Sequence, residues 1–319
     1  MTMRKICLKI HRWLGLVLGV IISVICLTGA VIVFQDEIKE AINADIRHVK
    51  DKGNGRHLAN EALVDAIREH AGKGLTLTSI QLPSGSDDAA YAQFAERGHQ
   101  KLAVNPYTGE LIGWEKESAV VNTAKQLHRY LLNVPSEPHE GMSAGRFIVG
   151  ATAIGMTLIL LSGIVIWWPR NKKMLKNRLK VSTGNGFRRF VYDSHVSLGI
   201  YGVVFLLLMS LTGPSWSFHW YRQGAMAVLG GDVRDMEHHG HFEQQQKPEE
   251  VSIMRPDMMN HGHEKMPPQV VLMQLHTGGW GGMAVKIIYF LAALIGGLLP
   301  WSGYYMWWKR THPRKSRIS

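Results

Sequence analysis

Two cysteines, Cys7 and Cys26, stand in a chain of 319 residues. That excludes a disulfide framework, and their spacing fits neither a structural metal site nor an iron–sulfur cluster, so each reads as a small buried apolar side chain. Charge is missing from long stretches. Four apolar runs, 13–34, 147–168, 197–218 and 284–308, hold no aspartate, glutamate or arginine, and their only lysine is Lys286. Each approaches or exceeds the ~20 residues needed to cross a hydrocarbon core of ~30 Å, so all four read as membrane spans. The first follows Arg4, Lys5, Lys9 and Arg12, is too long for the apolar part of a signal peptide and lacks a small-residue cleavage motif. It reads as an uncleaved anchor. The chain also lacks a Ser-His-Asp constellation, paired catalytic carboxylates, a phosphate-binding loop, and any flavin or nicotinamide fingerprint.

Acidic residues are absent from three short segments that are rich in basic ones. Segments 1–12, 169–192 and 309–319 carry four, eight and five lysines and arginines, 17 of the 36 in the chain. The excess of positive charge places both termini and the middle loop in the cytoplasm. The net charge of +11 is therefore a topogenic signal and no argument for nucleic-acid binding. All acidic residues except Asp193 fall in 35–143 and 219–283, which face the other side. The expected order is a cytoplasmic start and first span (1–34), an external domain (35–143), a second span (144–168) and a basic loop (169–192). A third span (193–218), an external loop (219–282), a fourth span (283–308) and a cytoplasmic tail (309–319) complete it.

The first external segment reads as a small α+β domain. Leu58, Ala62, Leu63, Ala66 and Ile67 recur at helical spacing with Asn60 as the expected N-cap, and the helix ends near Gly72 or Gly74. Strand-like runs follow at 75–82, 90–95, 101–104 and 111–114, the last two joined by Asn105-Pro106-Tyr107-Thr108-Gly109-Glu110. This stretch of about 60 residues resembles the PepSY domain. The second external segment is rich in Met236, His238, His239, His241, Met254, Met258, Met259, His261, His263, Met266 and Met273. Thioethers and imidazoles suit soft or borderline metals, but the irregular spacing gives no closed ligand motif, so a polar loop and a metal-contacting one both stand.

The chain repeats itself. His11-Arg12-Trp13-Leu14-Gly15 and Leu27-Thr28-Gly29 return as His195-Val196-Ser197-Leu198-Gly199 and Leu211-Thr212-Gly213, offset by 184. Leu127-His128, Ser162-Gly163 and Trp167-Trp168 return as Leu275-His276, Ser302-Gly303 and Trp307-Trp308, offset by 148 at the histidines and 140 at the tryptophans. The pattern predicts a four-helix membrane bundle built from a duplicated two-helix unit. Chain direction pairs His11 with His195 at the cytoplasmic edge and His128 with His276 on the external side. Two histidines on different helices supply the two axial nitrogens of a b-type haem, and without Cys-x-x-Cys-His a covalently attached haem is excluded. Gly15, Gly19, Gly29, Gly199, Gly202 and Gly213 clear space for a flat macrocycle or for close helix approach. Two macrocycles near opposite faces divide a ~30 Å core into short electron steps. Turn-formers Pro135, Pro138 and Gly141 are expected to bring His128 over the bundle, while His48, His57, His70, His99 and His312 have no repeat partners and read as solvated.

These motifs, with the Leu-His-Arg-Tyr-Leu-Leu segment at 127–132, resemble over nearly the full length the PepSY-associated transmembrane family, which includes periplasmic ferric-siderophore reductases of bacterial inner membranes. The resemblance implies two bis-histidine b-type haems, held by His11 and His195 and by His128 and His276. It also implies one-electron reduction of a ferric chelate outside the membrane, which weakens the siderophore's hold and frees the iron. Trp216, His219, Trp220, Tyr221 and Trp280 are candidates for a docking floor for the chelate, or for an interfacial aromatic belt. The electron donor is expected to be a quinol or a separate cytoplasmic reductase. A cupric or other metal-chelate reductase, a regulatory PepSY protein without cofactor, and a haem-handling protein remain alternatives.

Overall fold

In a computed structural model the structure describes residues 2–72, 74–98, 100–135, 142–230, 251–254 and 266–312. The chain divides into two compact units, one formed by 1–34, 120–231 and 267–319 and the other by 35–119 and 232–266.

The first unit is helical. It contains α1 (Met3–Val33), preceding the second unit in sequence; that unit then supplies α2 (Gln35–Ile42), α3 (Ala44–Arg47), α4 (Asn60–His70) and most of the sheet before α5 (Ala119–Tyr130) returns the chain. There follow α6 (Ala144–Trp167), α7 (Lys172–Arg178), α8 (Phe187–Thr212) with a 3-10 extension Gly213–Trp216, and α9 (His219–Val228). The last helices are α10 (Pro268–Thr277) and α11 (Gly282–Thr311). α1, α6, α8 and α11 are long and apolar enough to cross a membrane. They pack in a closed ring, α1 against α6 and α11, and α8 against the same two. Their outer faces expose Val17, Val20, Leu158, Leu161, Val204, Leu291 and Leu298, an apolar surface that only lipid would cover without cost.

Small residues set how closely the ring closes. Ser23 donates to the Gly297 carbonyl at 2.8 Å, and a Cβ on Gly297 would lie 2.7 Å from Leu27. A Cβ on Gly19 would lie 2.8 Å from the Tyr304 hydroxyl, which donates to the Leu16 carbonyl at 2.8 Å. Gly19 and Gly202 therefore serve helix approach, as small residues do in membrane bundles. Cys26 is buried in this packing, as expected, whereas Cys7 is only half-buried.

Two boundaries differ from the sequence reading. α1 begins ten residues before the apolar run, because helix formation continues through the flanking basic residues, so His11 lies inside the helix and not at its end. The chain reversal after α5 comes earlier than Pro135: Leu131 and Leu132 both take positive φ, 48° and 66°, an uncommon state for leucine. Pro138 and Gly141 lie outside the described residues. Between α10 and α11, Gly278 at φ +76° turns the chain so that Tyr289 packs against it and donates to the Leu275 carbonyl at 2.7 Å.

The second unit holds a five-stranded sheet in the order β4-β3-β2-β1-β5, made of β1 (Leu77–Gln81), β2 (Ala90–Phe94), β3 (Lys101–Val104), β4 (Leu111–Trp114) and β5 (Ser252–Met254). All neighbours are antiparallel except β1 and β5. Leu63 and Ile67 of α4 close the core over Leu77, Ile80, Phe94, Leu102 and Val104. The expected Asn60 cap is not made: Ala59 takes the N-cap place without a side-chain bond, and Asn60 becomes the first helical residue. The 105–110 turn is as read, with Tyr107 N–H donating to Asn105 Oδ1 at 2.9 Å and Gly109 at φ +76°. β5 was not expected. It places Met254, one of the candidate metal-contacting thioethers, in a strand beside Gln81, and it joins the two segments read as external in one sheet.

Candidate functional site

The ring of helices brings the four repeated histidines together two by two. His11 of α1 and His195 of α8 have ring centres 6.1 Å apart with planes at 83°. His128 of α5 and His276 of α10 have ring centres 6.1 Å apart with planes at 64°. His11 and Gly29, which stands beside His128, are 18 residues apart on α1, so the two pairs lie about 27 Å apart along the helix axis.

Each imidazole is held by the same local device. A serine or threonine followed by glycine sits on a neighbouring helix, the hydroxyl near Nδ1 and the glycine under Cε1. Ser302 Oγ lies 2.7 Å from His195 Nδ1 and Thr212 Oγ1 lies 2.9 Å from His276 Nδ1. Both hydroxyls spend their own hydrogen on a carbonyl one turn back, Ser302 on Leu299 at 2.6 Å and Thr212 on Leu208 at 2.6 Å. Each oxygen is thus left as an acceptor, and the histidine proton is on Nδ1. In the other half of the chain the main chain takes over: His11 Nδ1 donates to the Ile159 carbonyl at 2.9 Å and His128 Nδ1 to the Ile25 carbonyl at 2.8 Å. Ser162 Oγ and Thr28 Oγ1 stand further off, at 3.3 and 3.5 Å. A Cβ on Gly29 or Gly163 would lie 3.0 or 3.2 Å from Cε1 of His128 or His11; on Gly213 or Gly303, 3.7 or 4.0 Å from Cε1 of His276 or His195.

With Nδ1 occupied, Nε2 carries the lone pair, and it has no hydrogen-bond partner among the described residues in any of the four rings. Fixing one ring nitrogen so that the other faces a metal is the usual support of a ligating histidine. The spacing can be tested against the same idea. Two imidazoles gripping one iron, with metal–nitrogen bonds of about 2 Å and nitrogens about 1.1 Å from the ring centres, put those centres about 6.2 Å apart. The observed 6.1 Å in both pairs fits. Burial among apolar helices lowers the His128 pKa, and pushes His276 down to about 3 with the neighbouring His128 adding to the effect. Both are neutral, which is the ligating form.

A bare ion is a poorer match, because no group of three or more His, Cys, Asp or Glu side chains among the described residues is arranged to hold one. The profile of the PepSY-associated TM region matches residues 8–310. The chain belongs to this family. It is a multi-pass membrane protein. No curated protein matches the chain.

Around the first pair of this PepSY-associated bundle lies a cavity of about 580 Å³, within the ~300–1,000 Å³ of small-molecule and cofactor sites. His11 and His195 line it, with Gly15, Gly163, Gly199 and Gly303 forming part of its wall. Gly15 and Gly199 thus keep space open, since a Cβ on Gly15 would meet nothing within 4 Å.

Of the five aromatic and histidine candidates for substrate contact, Trp216 stands against the second pair, its ring 5.0 Å from that of His276. Trp220 packs on Tyr221 at 5.5 Å and is exposed, and Tyr221 donates to the Leu211 carbonyl. Trp280 is exposed and hydrogen-bonds the Tyr289 hydroxyl, and His219 is exposed. Neither makes a ring contact with a histidine pair among the described residues. Of the Met- and His-rich loop, Met254, Met266 and Met273 are described; Met236, His238, His239, His241, Met258, Met259, His261 and His263 lie outside the described residues. His99 does as well. The hydroxyls were visible in the repeat as Ser-Gly and Thr-Gly but had no assigned role, because only the fold shows that each faces an imidazole across a helix interface.

Proposed function

We propose that this chain is a dihaem transmembrane oxidoreductase of the bacterial inner membrane that carries electrons outward to reduce a ferric siderophore, Fe(III) to Fe(II), and release its iron. The observation that carries the reading is the pair of imidazole couples at 6.1 Å, each ring with Nδ1 engaged and Nε2 free. Bound haem supplies a one-electron Fe(III)/Fe(II) couple at each site. The chain's own residues do the rest. His11 with His195, and His128 with His276, would each hold one haem between two imidazoles and so keep dioxygen and water from binding it. Ser302 and Thr212 hold His195 and His276, and the Ile159 and Ile25 carbonyls hold His11 and His128, in the ligating tautomer, while the apolar helices keep water away. A core of ~30 Å is covered by two sites about 27 Å apart, one near each face.

In this reading the four spans are two copies of one helix pair, as the 184-residue offset suggests. The sheet unit is a PepSY-like domain on the external side, and both termini are cytoplasmic. Trp216 beside His276, the half-buried Tyr221 and the exposed Trp220, His219 and Trp280 form the external docking area for the chelate. A quinol or a cytoplasmic reductase supplies the electrons.

The test is spectroscopic. Purified in detergent from haem-replete cells, the chain is expected to carry about two b-type haems, with the anisotropic low-spin ferric signals that crossed imidazole planes produce. Reduced anaerobically with dithionite, it should be reoxidised by a ferric hydroxamate chelate; reoxidation by Cu(II) alone would make it a cupric reductase. A colourless folded preparation ends the proposal.

The glycines give a graded prediction. Gly29→Ala and Gly163→Ala press a methyl group against His128 and His11 at 3.0 and 3.2 Å and should shift the spectrum of one haem each, whereas Gly213→Ala, 3.7 Å from His276, should shift neither, and Gly303→Ala, 4.0 Å from His195 but on the cavity wall, should act only by narrowing that cavity. Equal effects at all four positions would mean that the glycines do not shape the ring positions.

A further inference from the structure

The wall of the first cavity is apolar except at one end. There Arg4, Arg12, Arg178 and Arg310 line it, and no aspartate or glutamate does. Arg4 and Arg178 both reach the end of α6, each donating to the Ile166 carbonyl at 3.1 Å, and Arg178 also donates to Trp167. Those two are partly explained as caps on the free carbonyls of a helix C-terminus. Arg310 stands in the last turn of α11, where the dipole likewise favours a cation, but Arg12 is at no helix C-terminus. Arg12 lies nine residues into α1, about 14 Å from its start, directly beside His11 in sequence. Its Nε is buried without a hydrogen-bond partner. Topogenic charge belongs on the flanks of a span. Arg12 is the last residue of the basic flank 1–12 and its guanidinium lies 5.5 Å from the Trp13 ring, but the positive-inside pattern does not account for a buried Nε without a hydrogen-bond partner.

Four like charges around one opening, unopposed by any carboxylate on the wall, are stable only against an anion. The rest of the cavity asks for a flat apolar body. We infer that Arg12 and Arg310, backed by Arg4 and Arg178, bind the carboxylates on the edge of the tetrapyrrole held by His11 and His195. The inference rests on the haem reading above and adds what orients the group in its plane: two imidazoles fix an axis but leave rotation about it free, and guanidinium–carboxylate pairing at one rim removes that freedom. The same chemistry would also attract a phospholipid headgroup, so the test must separate the two.

The full-length protein and its Arg12→Gln/Arg310→Gln variant are purified and assayed for haem per chain. The wild type is expected to hold about two and the variant about one, with the His128/His276 haem retained as proof that the chain is folded. Protein made in haem-limited cells is then titrated with ferric protoporphyrin IX and with its dimethyl ester. At the His11/His195 site the wild type should prefer the free acid at least tenfold, and the variant should take both alike. Equal binding of acid and ester by the wild type overturns the inference. So does a variant that keeps both haems with an unchanged midpoint potential, including the case in which it loses only co-purifying phospholipid phosphate, which assigns the arginines to lipid. A wild type without haem in any preparation fails the parent reading instead, and is recognised by the absence of colour before any arginine is changed.

Discussion

Alanine in place of His11 or His195 is expected to reduce the haem content from about two to about one per chain, and alanine in place of His128 or His276 to remove the other. The four substitutions should sort into two classes, not four, because each imidazole contributes half of one noncovalent site. His11 and His195 share one 6.1 Å gap and His128 and His276 share the second. The double variant His11→Ala/His195→Ala should therefore resemble either single, a strong departure from additivity within a pair, whereas His11→Ala/His128→Ala should have no haem. Function is affected more severely than content. With either site lost, one face of the bundle has no redox group to take up or pass on the electron, so outward electron transfer to a ferric chelate should stop in all four single variants. Two low-spin haems surviving in every variant would remove the histidines from the site.

The pairing itself was legible in the sequence, and for a physical reason. Spans that alternate in direction put equivalent positions of two repeats at one depth, so registering the repeats also registers the histidines. The spans and four of the five strands were legible for similar reasons, since hydropathy and two-residue alternation are local. What was not legible depends on partners far away in the chain. β5 is three residues long and pairs with β1 across about 170 residues, a contact with no local signature. The N-cap at Ala59 shows the opposite failure, a favourable local residue, Asn60, passed over by one position. The Ser-Gly and Thr-Gly dipeptides stood in plain view as landmarks, yet their role depends on which helix lies opposite. The arginines at the cavity rim were absorbed into the positive-inside count, which registers charge but not the direction in which it faces.

Gly145→Ala is expected to be the most damaging single-methyl change in the bundle and to act on one site only. Gly145 is the second residue of α6, and a Cβ there would lie 1.7 Å from the Tyr130 carbonyl oxygen and 2.6 Å from its carbon. The obstacle is main chain, so no rotamer change relieves it; the end of α5 must move away by more than an ångström or the first turn of α6 must open. Either movement breaks the bond from Gly145 N–H to Asn133 Oδ1 at 3.2 Å and strains a reversal already made by two leucines at positive φ. Tyr130 is two residues beyond His128, so a displaced α5 takes that imidazole away from His276 and leaves His11 and His195 in place. The cost should reach the upper part of the ~1–3 kcal/mol typical of overpacking, seen as a lower melting temperature together with selective loss of the His128/His276 haem. Gly224→Ala is the matched control. Its Cβ meets nothing within 4 Å inside α9, so it should leave haem content intact and raise helix stability by up to ~1 kcal/mol. If Gly145→Ala melts with the wild type and keeps both haems, then α5 does not depend on this contact for its position, and the account of how His128 reaches its partner is wrong.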